Sequence, residues 1–180
     1  MLKAKAEGKF LIGNIGRLTE QKGMEYFIRA VPAIRAAHPE AQCYIIGAGE
    51  DEEKLRKMSE GLPVKFLGYR SDVQSLMSQL DLIALSSLWE GLPLTPIEAF
   101  SVGKTIVATE ADGTPEVVAD GENGLLVPPR DPAAIAEKIN WIMERPAERK
   151  RLEKNAKDTF ERKFSFDVMA QAYKDYYRSL

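Results

Sequence analysis

Two cations and two carboxylates, set in loops that follow apolar runs, are the side chains of this chain best placed for chemistry. Arg17 and Lys22 lie in GRLTEQKG (16–23), beside Gly16 and Gly23, and bracket the entry to a helix. Two cations at a helix N-terminus form an anion site, because unpaired N–H groups of the first turn add to their charge. Glu90 and Glu98 stand eight residues apart in SSLWEGLPLTPIEAF (86–100). Between them, Gly91, Leu92 and Pro93 lead into the first turn of the next helix, where free N–H groups face an anion. A carboxylate does not bind that anion. It accepts hydrogen bonds from hydroxyls, such as those of a ribose or a hexose.

Two further loops complete the set. In GYRSDV (68–73), Tyr69, Arg70 and Val73 frame a flat ring. The polar turn EADGTPEVV (110–118) leads into a helix over the same crevice. Each segment read alone has a plainer alternative. Arg17 and Lys22 equally fit a solvated charged loop, Glu98 a first-turn dipole residue, Glu90 a surface residue and Tyr69 an ordinary loop residue. Read together, cations, helix N-termini and hydroxyl-accepting carboxylates match a diphosphate joined to two sugars, that is, a nucleotide-sugar.

Other chemistries fail on residue types. Gly47-Ala48-Gly49 follows an apolar run, but Glu52 stands where a dinucleotide fingerprint needs its third glycine. Gly103-Lys104-Thr105 resembles the end of a phosphate-binding loop, yet Glu98 occupies the position of the required earlier glycine. One His and one Cys cannot make a Cys/His metal site. His38 reads as a helix-end residue and Cys43 as an inert buried thiol.

The elements that must carry these loops alternate. Apolar runs at 10–16, 43–47, 64–68, 82–86, 105–109 and 125–128 read as strands. Helical spacing fits 22–37, 50–59, a short stretch from Ser71, 94–102, 114–119, 132–144, 147–161 and 166–178. Pro32 is expected to interrupt the first helix. Strands apolar on both faces, alternating with helices, predict a Rossmann-like, doubly wound α/β domain: a parallel sheet of about six strands with a helical carboxy-terminal tail. Ligands of such sheets bind at the strand carboxyl ends, which is where the four loops fall.

Composition agrees with one globular domain. Of 180 residues, 44% are apolar and 29% charged, so disorder and disulfide scaffolds are excluded. With 25 basic and 27 acidic residues, the net charge of -2 argues against a nucleic-acid surface. No apolar run reaches the ~18 residues of a membrane span. The single Cys and the absence of a signal-like segment lead to the expectation of a cytoplasmic location.

The run S-x-x-x-E-G-L-P-L-x-x-I-E-A-F-x-x-G-K-x-I-V-A-T resembles the E-x7-E signature of retaining group 1 glycosyltransferases of the GT-B fold. G-R-L-x-x-x-K-G, I-I-G-x-G, V-x-F-L-G, P-E-V-V, D-G-x-N-G-L-L-V and the closing F-S-F before an aromatic helix appear in that family's order, so the resemblance covers about residues 10–180. It implies that Arg17 and Lys22 neutralise the donor diphosphate, with Gly16 beside them. Glu98 then holds the ribose, and Glu90 contacts the transferred sugar. The backbone of Gly91, Leu92 and Pro93 cradles the distal phosphate, and Tyr69, Arg70 and Val73 border the base. Transfer is implied to retain configuration without an obligatory metal, from a UDP-, GDP- or ADP-sugar. Glu90 is not assigned as a nucleophile.

Two departures from the family stand out. Asp112-Gly113 replaces the usual Gly-Gly pair ahead of P-E-V-V, adding bulk and charge near the sugar. The chain also matches only the carboxy-terminal, donor-binding half. Residues 1–180 are therefore expected to form a single donor domain, with about 1–9 as a tail or linker. The acceptor half is expected in cis or on a partner chain, with any peripheral membrane contact made through that half. Alone, the chain is expected to bind donor without transferring it. A stand-alone binding subunit and a ligand-free structural module are the competing readings. Phe164, Phe166, Met169, Tyr173, Tyr176 and Tyr177 form a stripe on the terminal helix (165–180). It is expected either to pack on its own domain or, where the resemblance implies a helix that crosses to the other half, to lie partly exposed or dock on another copy.

Overall fold

The structure, a computed structural model, describes residues 7–179. Most of the expected 1–9 tail, and Leu180, lie outside the described residues. Six strands, β1 (Phe10–Ile15), β2 (Ala41–Ile46), β3 (Val64–Phe66), β4 (Leu82–Leu85), β5 (Ile106–Thr109) and β6 (Leu125–Val127), form one all-parallel sheet in the order β3-β2-β1-β4-β5-β6. The expected α/β architecture is therefore present. β2, β4 and β5 are buried along their whole length, as strands covered on both faces must be.

The covering helices divide between the faces. α1 (Met24–Ala37), α2 (Glu52–Met58) and α6 (Pro132–Glu144) pack on one face, around Phe27, Ile28, Ile45 and Ile139. α3 (Val73–Gln79), α4 (Leu94–Ser101) and α7 (Pro146–Thr159) cover the other with α5 (Thr114–Val117), around Met77, Phe100 and Ile83. α6 starts where its sequence says it should: Asp131 accepts a hydrogen bond from the Ala134 N–H at 2.9 Å, and Pro132 occupies the first turn. Cys43 is buried in β2, and burial pushes its thiol up to about 12.

Three local expectations are corrected. α1 continues as one helix through Pro32, whose ring is exposed. Burial of Phe27, Ile28, Val31 and Ile34 outweighs the ~3 kcal/mol that an interior proline costs. The short helix after β3 begins at Val73 instead of just after Ser71, with Asp72, whose backbone is not helical, as the residue before its first turn. α7 ends at Thr159 and gives way to a π-turn, Phe160–Phe164, whose two phenylalanines reach back to the second core.

The terminal helix α8 (Phe166–Arg178) behaves differently. Ser165 caps it, accepting from the Val168 N–H, but none of its residues is buried. Phe166, Met169, Tyr173, Tyr176 and Tyr177 are all exposed, so of the expected stripe only Phe164 packs against the domain. No helix among the described residues is long and apolar enough to cross a membrane.

Candidate functional site

The strand order reverses between β1 and β4, and at that switch point the loops after the two strands must diverge. They are instead tied together beside the sheet. Asn14, buried in β1, donates from Nδ2 to Ser86 Oγ at 2.8 Å, and Ser86 Oγ donates to the Lys22 carbonyl at 3.1 Å. The Leu88 N–H donates to the Gln21 carbonyl at 2.8 Å, and Thr109 Oγ1 donates to the Ser87 carbonyl at 2.5 Å. Polar residues at the ends of buried strands thus fix the loops that carry Lys22 and Glu90.

At the centre, Lys22 Nζ lies 2.5 Å from Glu90 Oε1, and Ser87 Oγ donates to the same oxygen at 2.6 Å. The Glu90 side chain is only 6% exposed and that of Lys22 15%, so solvent screens this pair little. Glu90 Oε2 has no hydrogen-bond partner among the described residues. Lys22 Nζ has three protons and uses one on Glu90, which leaves two for a further acceptor. The loop after β5 closes this end, its Asp112 accepting from the Glu90 N–H at 3.1 Å.

A cleft of about 250 Å³ opens at the other end. Its walls include Gly16, Arg17, Tyr69, Arg70 and Val73, and its floor is the apolar carboxyl end of β1 and β2, Ile15 and Ile46. Gly47 is required there: its φ is 142°, and a Cβ would fall on the Gly16 carbonyl. Tyr69 is 80% exposed. Arg70 and Asp72 form a two-pronged pair at 2.8 and 2.7 Å that stiffens this rim. The hydrogen bond to Asp72 raises the Arg70 pKa, and the reciprocal bond lowers that of Asp72. Beside Tyr69 and Val73, a wider hollow of about 590 Å³ reaches Glu98, five residues into α4. Partial burial raises the Glu98 pKa above the ordinary glutamate range.

The residues singled out from sequence thus gather in two connected groups. Gly16, Arg17, Tyr69, Arg70, Val73 and Glu98 border the open cleft and its extension. Lys22 and Glu90 pair directly. Gly91 and Leu92 are exposed on the connecting loop, whereas Pro93 is buried and precedes α4. Arg17 is exposed and makes no ion pair among the described residues. Sequence reasoning missed Asn14, Ser86, Ser87 and Thr109. The available signal was a polar residue inside or directly after an otherwise apolar strand, where burial demands a partner.

A doubly wound parallel sheet with a buried ion pair at its switch point and a cleft over the carboxyl ends of β1 and β2 defines an α/β domain of the kind that binds ligands at the strand carboxyl ends. The family follows from comparison with known proteins. The chain matches the glycosyl transferases group 1 family over residues 3–159, and it belongs to that family. It is 30% identical, over 91% of its own length, to an uncharacterised glycosyltransferase of Methanocaldococcus jannaschii. It covers 43% of that protein, and 48% of a lipopolysaccharide core biosynthesis glycosyltransferase of Rhizobium meliloti. The chain therefore spans about half the length of the curated relatives it matches. Among solved structures, Anabaena HepE in complex with UDP-glucose superposes with a TM-score of 0.88 at 28% identity, covering 99% of this chain and 51% of HepE. The C-terminal domain of a group 1 family protein (LpcC) from Francisella tularensis superposes with a TM-score of 0.80 at 25% identity, covering 91% and 92%.

Proposed function

We propose that this chain holds the nucleotide-sugar donor of a retaining glycosyltransferase, and that an acceptor-binding half in cis or on a partner chain completes the site. The observation that carries this reading is the buried Lys22–Glu90–Ser87 cluster, joined through the 16–23 loop to a cleft with an apolar floor. Such a site suits a ligand that is flat and apolar at one end, anionic in the middle and rich in hydroxyls at the other.

In this reading the base lies against Tyr69 and Val73, and Glu98 accepts hydrogen bonds from the ribose. Arg17 and the two spare protons of Lys22 take the diphosphate, with the backbone of Gly91 and Leu92 beside it. Glu90 Oε2 accepts from a hydroxyl of the transferred hexose. Transfer breaks the bond between the anomeric carbon and the diphosphate oxygen, so negative charge grows on the leaving group. The cations of Arg17 and Lys22 stabilise that charge without an obligatory metal. Glu90 acts as an orienting group, because its Oε1 already accepts from Lys22 and Ser87. The acceptor hydroxyl attacks the anomeric carbon from the same face of the sugar and passes its proton to the departing diphosphate oxygen, which retains configuration. UDP-glucose, the ligand of the Anabaena HepE complex, is the first donor to try.

The test is calorimetric titration of UDP, GDP and ADP and of their glucose or mannose conjugates. Binding by at least one pair, and its loss in Glu98→Ala, is expected. Absence of binding by all of them at millimolar concentration overturns the reading. Turnover is expected only after an acceptor-binding half is supplied, and chelation is expected to leave it unchanged.

A further inference from the structure

Resting on the donor reading above, we propose that Asp112 is a positioning residue: by gripping the backbone of Glu90 it decides how firmly the site holds the transferred sugar. Asp112 has φ 41°, one of two positive values for a non-glycine residue among the described residues. L-residues avoid that region for steric reasons, although Asp tolerates it better than most. A glycine would satisfy the turn without strain. What glycine would not supply is the carboxylate, and that group is in use: Oδ2 accepts the Glu90 N–H at 3.1 Å.

The next residue completes the grip, since the Gly113 N–H donates to the Glu90 carbonyl at 3.3 Å. Consecutive residues of one loop thus hold both backbone polar groups of Glu90. The loop is pressed close at this point, because a Cβ on Gly113 would fall on the Gly91 carbonyl. The side chain of Glu90 is held separately, by Lys22 from the β1 loop and Ser87 from its own loop. Glu90 is therefore fixed from three loops, and its free Oε2 is presented in one place. Removing the Asp112 carboxylate frees the Glu90 N–H and lets the residue shift, while the open cleft at Tyr69 and Arg17 stays as it is. The sugar end of the donor should feel this change, and the nucleotide end should not.

Two variants separate hydrogen bonding from charge. Asp112→Gly fits the turn and loses the acceptor. Asp112→Asn tolerates the turn, keeps an acceptor oxygen and loses the charge. Dissociation constants are measured for the nucleoside diphosphate and its sugar conjugate that bind wild type best among the UDP, GDP and ADP series. Amide exchange at Glu90 is followed in parallel without ligand. Asp112→Gly is expected to leave the diphosphate within about twofold and to weaken the conjugate about tenfold, the scale of a lost hydrogen bond to a charged group. Its Glu90 amide should exchange faster. Asp112→Asn should match wild type in both measurements. An unchanged ratio of the two constants, or tighter conjugate binding in Asp112→Gly, overturns the proposal. So does an Asp112→Asn that behaves like Asp112→Gly, since charge and not the hydrogen bond would then matter. If wild type binds no member of the series, the donor reading fails, and the Glu90 amide alone decides whether Asp112 positions Glu90.

Discussion

The two parts of the candidate site, the Lys22–Glu90 cluster and the open cleft, are built on opposite plans. At one end, Lys22, Glu90 and Ser87 are interlocked, shielded from water and tied to three strands through Asn14, Ser86 and Thr109. At the other, Tyr69 stands 80% exposed on a rim whose side chains are held by the Arg70–Asp72 pair within its own turn. The first end is organised before any ligand arrives. The second has its floor in place, and its wall is free to adjust. On the donor reading proposed above, the difference matches what each part would hold: a compact charge needs fixed, desolvated partners, whereas a flat ring needs area and little geometry.

The largest test of that contrast is Lys22→Ala. Glu90 would then be buried with only Ser87 as a side-chain partner, and stability should fall by about 3 kcal/mol. Urea unfolding measures it, and adding Glu90→Ala should restore much of the loss, a coupling the double-mutant cycle isolates. A fall below about 0.5 kcal/mol would place the pair with ordinary surface bridges and erase the contrast. Tyr69→Ala comes next. Its ring has little to lose in the free protein, so the unfolding midpoint should not move. Nucleotide affinity should drop about fivefold, equivalent to roughly 1 kcal/mol of ring contact. A loss of stability without loss of affinity would mean that the rim is structural.

Glu98→Gln sharpens the boundary between the two ends. Burial raises the Glu98 pKa, so the folded protein holds that proton more tightly than the unfolded chain does. Its contribution is favourable below the unfolded value and is lost as pH rises through the raised folded value. The glutamine variant should therefore be more stable than wild type near pH 7, and the two should converge near pH 4. Thermal melts at both pH values measure this, and equal melting points at pH 7 would remove burial as the cause. The smallest effect is expected from Arg70→Ala. The Arg70–Asp72 pair is exposed, so the midpoint should stay unchanged at low and high salt. A salt-dependent fall would show the rim to be as organised as the Lys22 end.

Much of this was legible beforehand. Phe10–Ile15, Ala41–Ile46 and Leu82–Leu85 announce themselves as strands buried on both faces because nearly every side chain in them is apolar. Arg17, Lys22, Glu90 and Glu98 stood out because charged residues flanking such strands fall at one edge of a parallel sheet. Pro32 misled, since a local rule gives no measure of the packing that overrides it. The π-turn at Phe160–Phe164 had no local signal either. It forms because Phe160 and Phe164 reach a core made by distant strands.

The terminal helix marks the same limit from the other side. Ser165 and the spacing of Phe166, Met169, Tyr173 and Tyr176 specify a capped amphipathic helix, and the helix forms. Whether its apolar face is covered depends on what lies opposite, and none of the described residues buries it.

The sequence by itself determined the class of fold, the side of the sheet that carries the site and the residue types gathered there. Side-chain periodicity and loop placement are local properties, and a right-handed parallel sheet has few ways to assemble them. Only the tertiary structure decided that Lys22 meets Glu90 and that Asp112 closes on the Glu90 backbone. Each of these is a choice among partners of matching charge or hydrogen-bonding capacity. That choice is made by distance and burial, which exist only once the strands have paired.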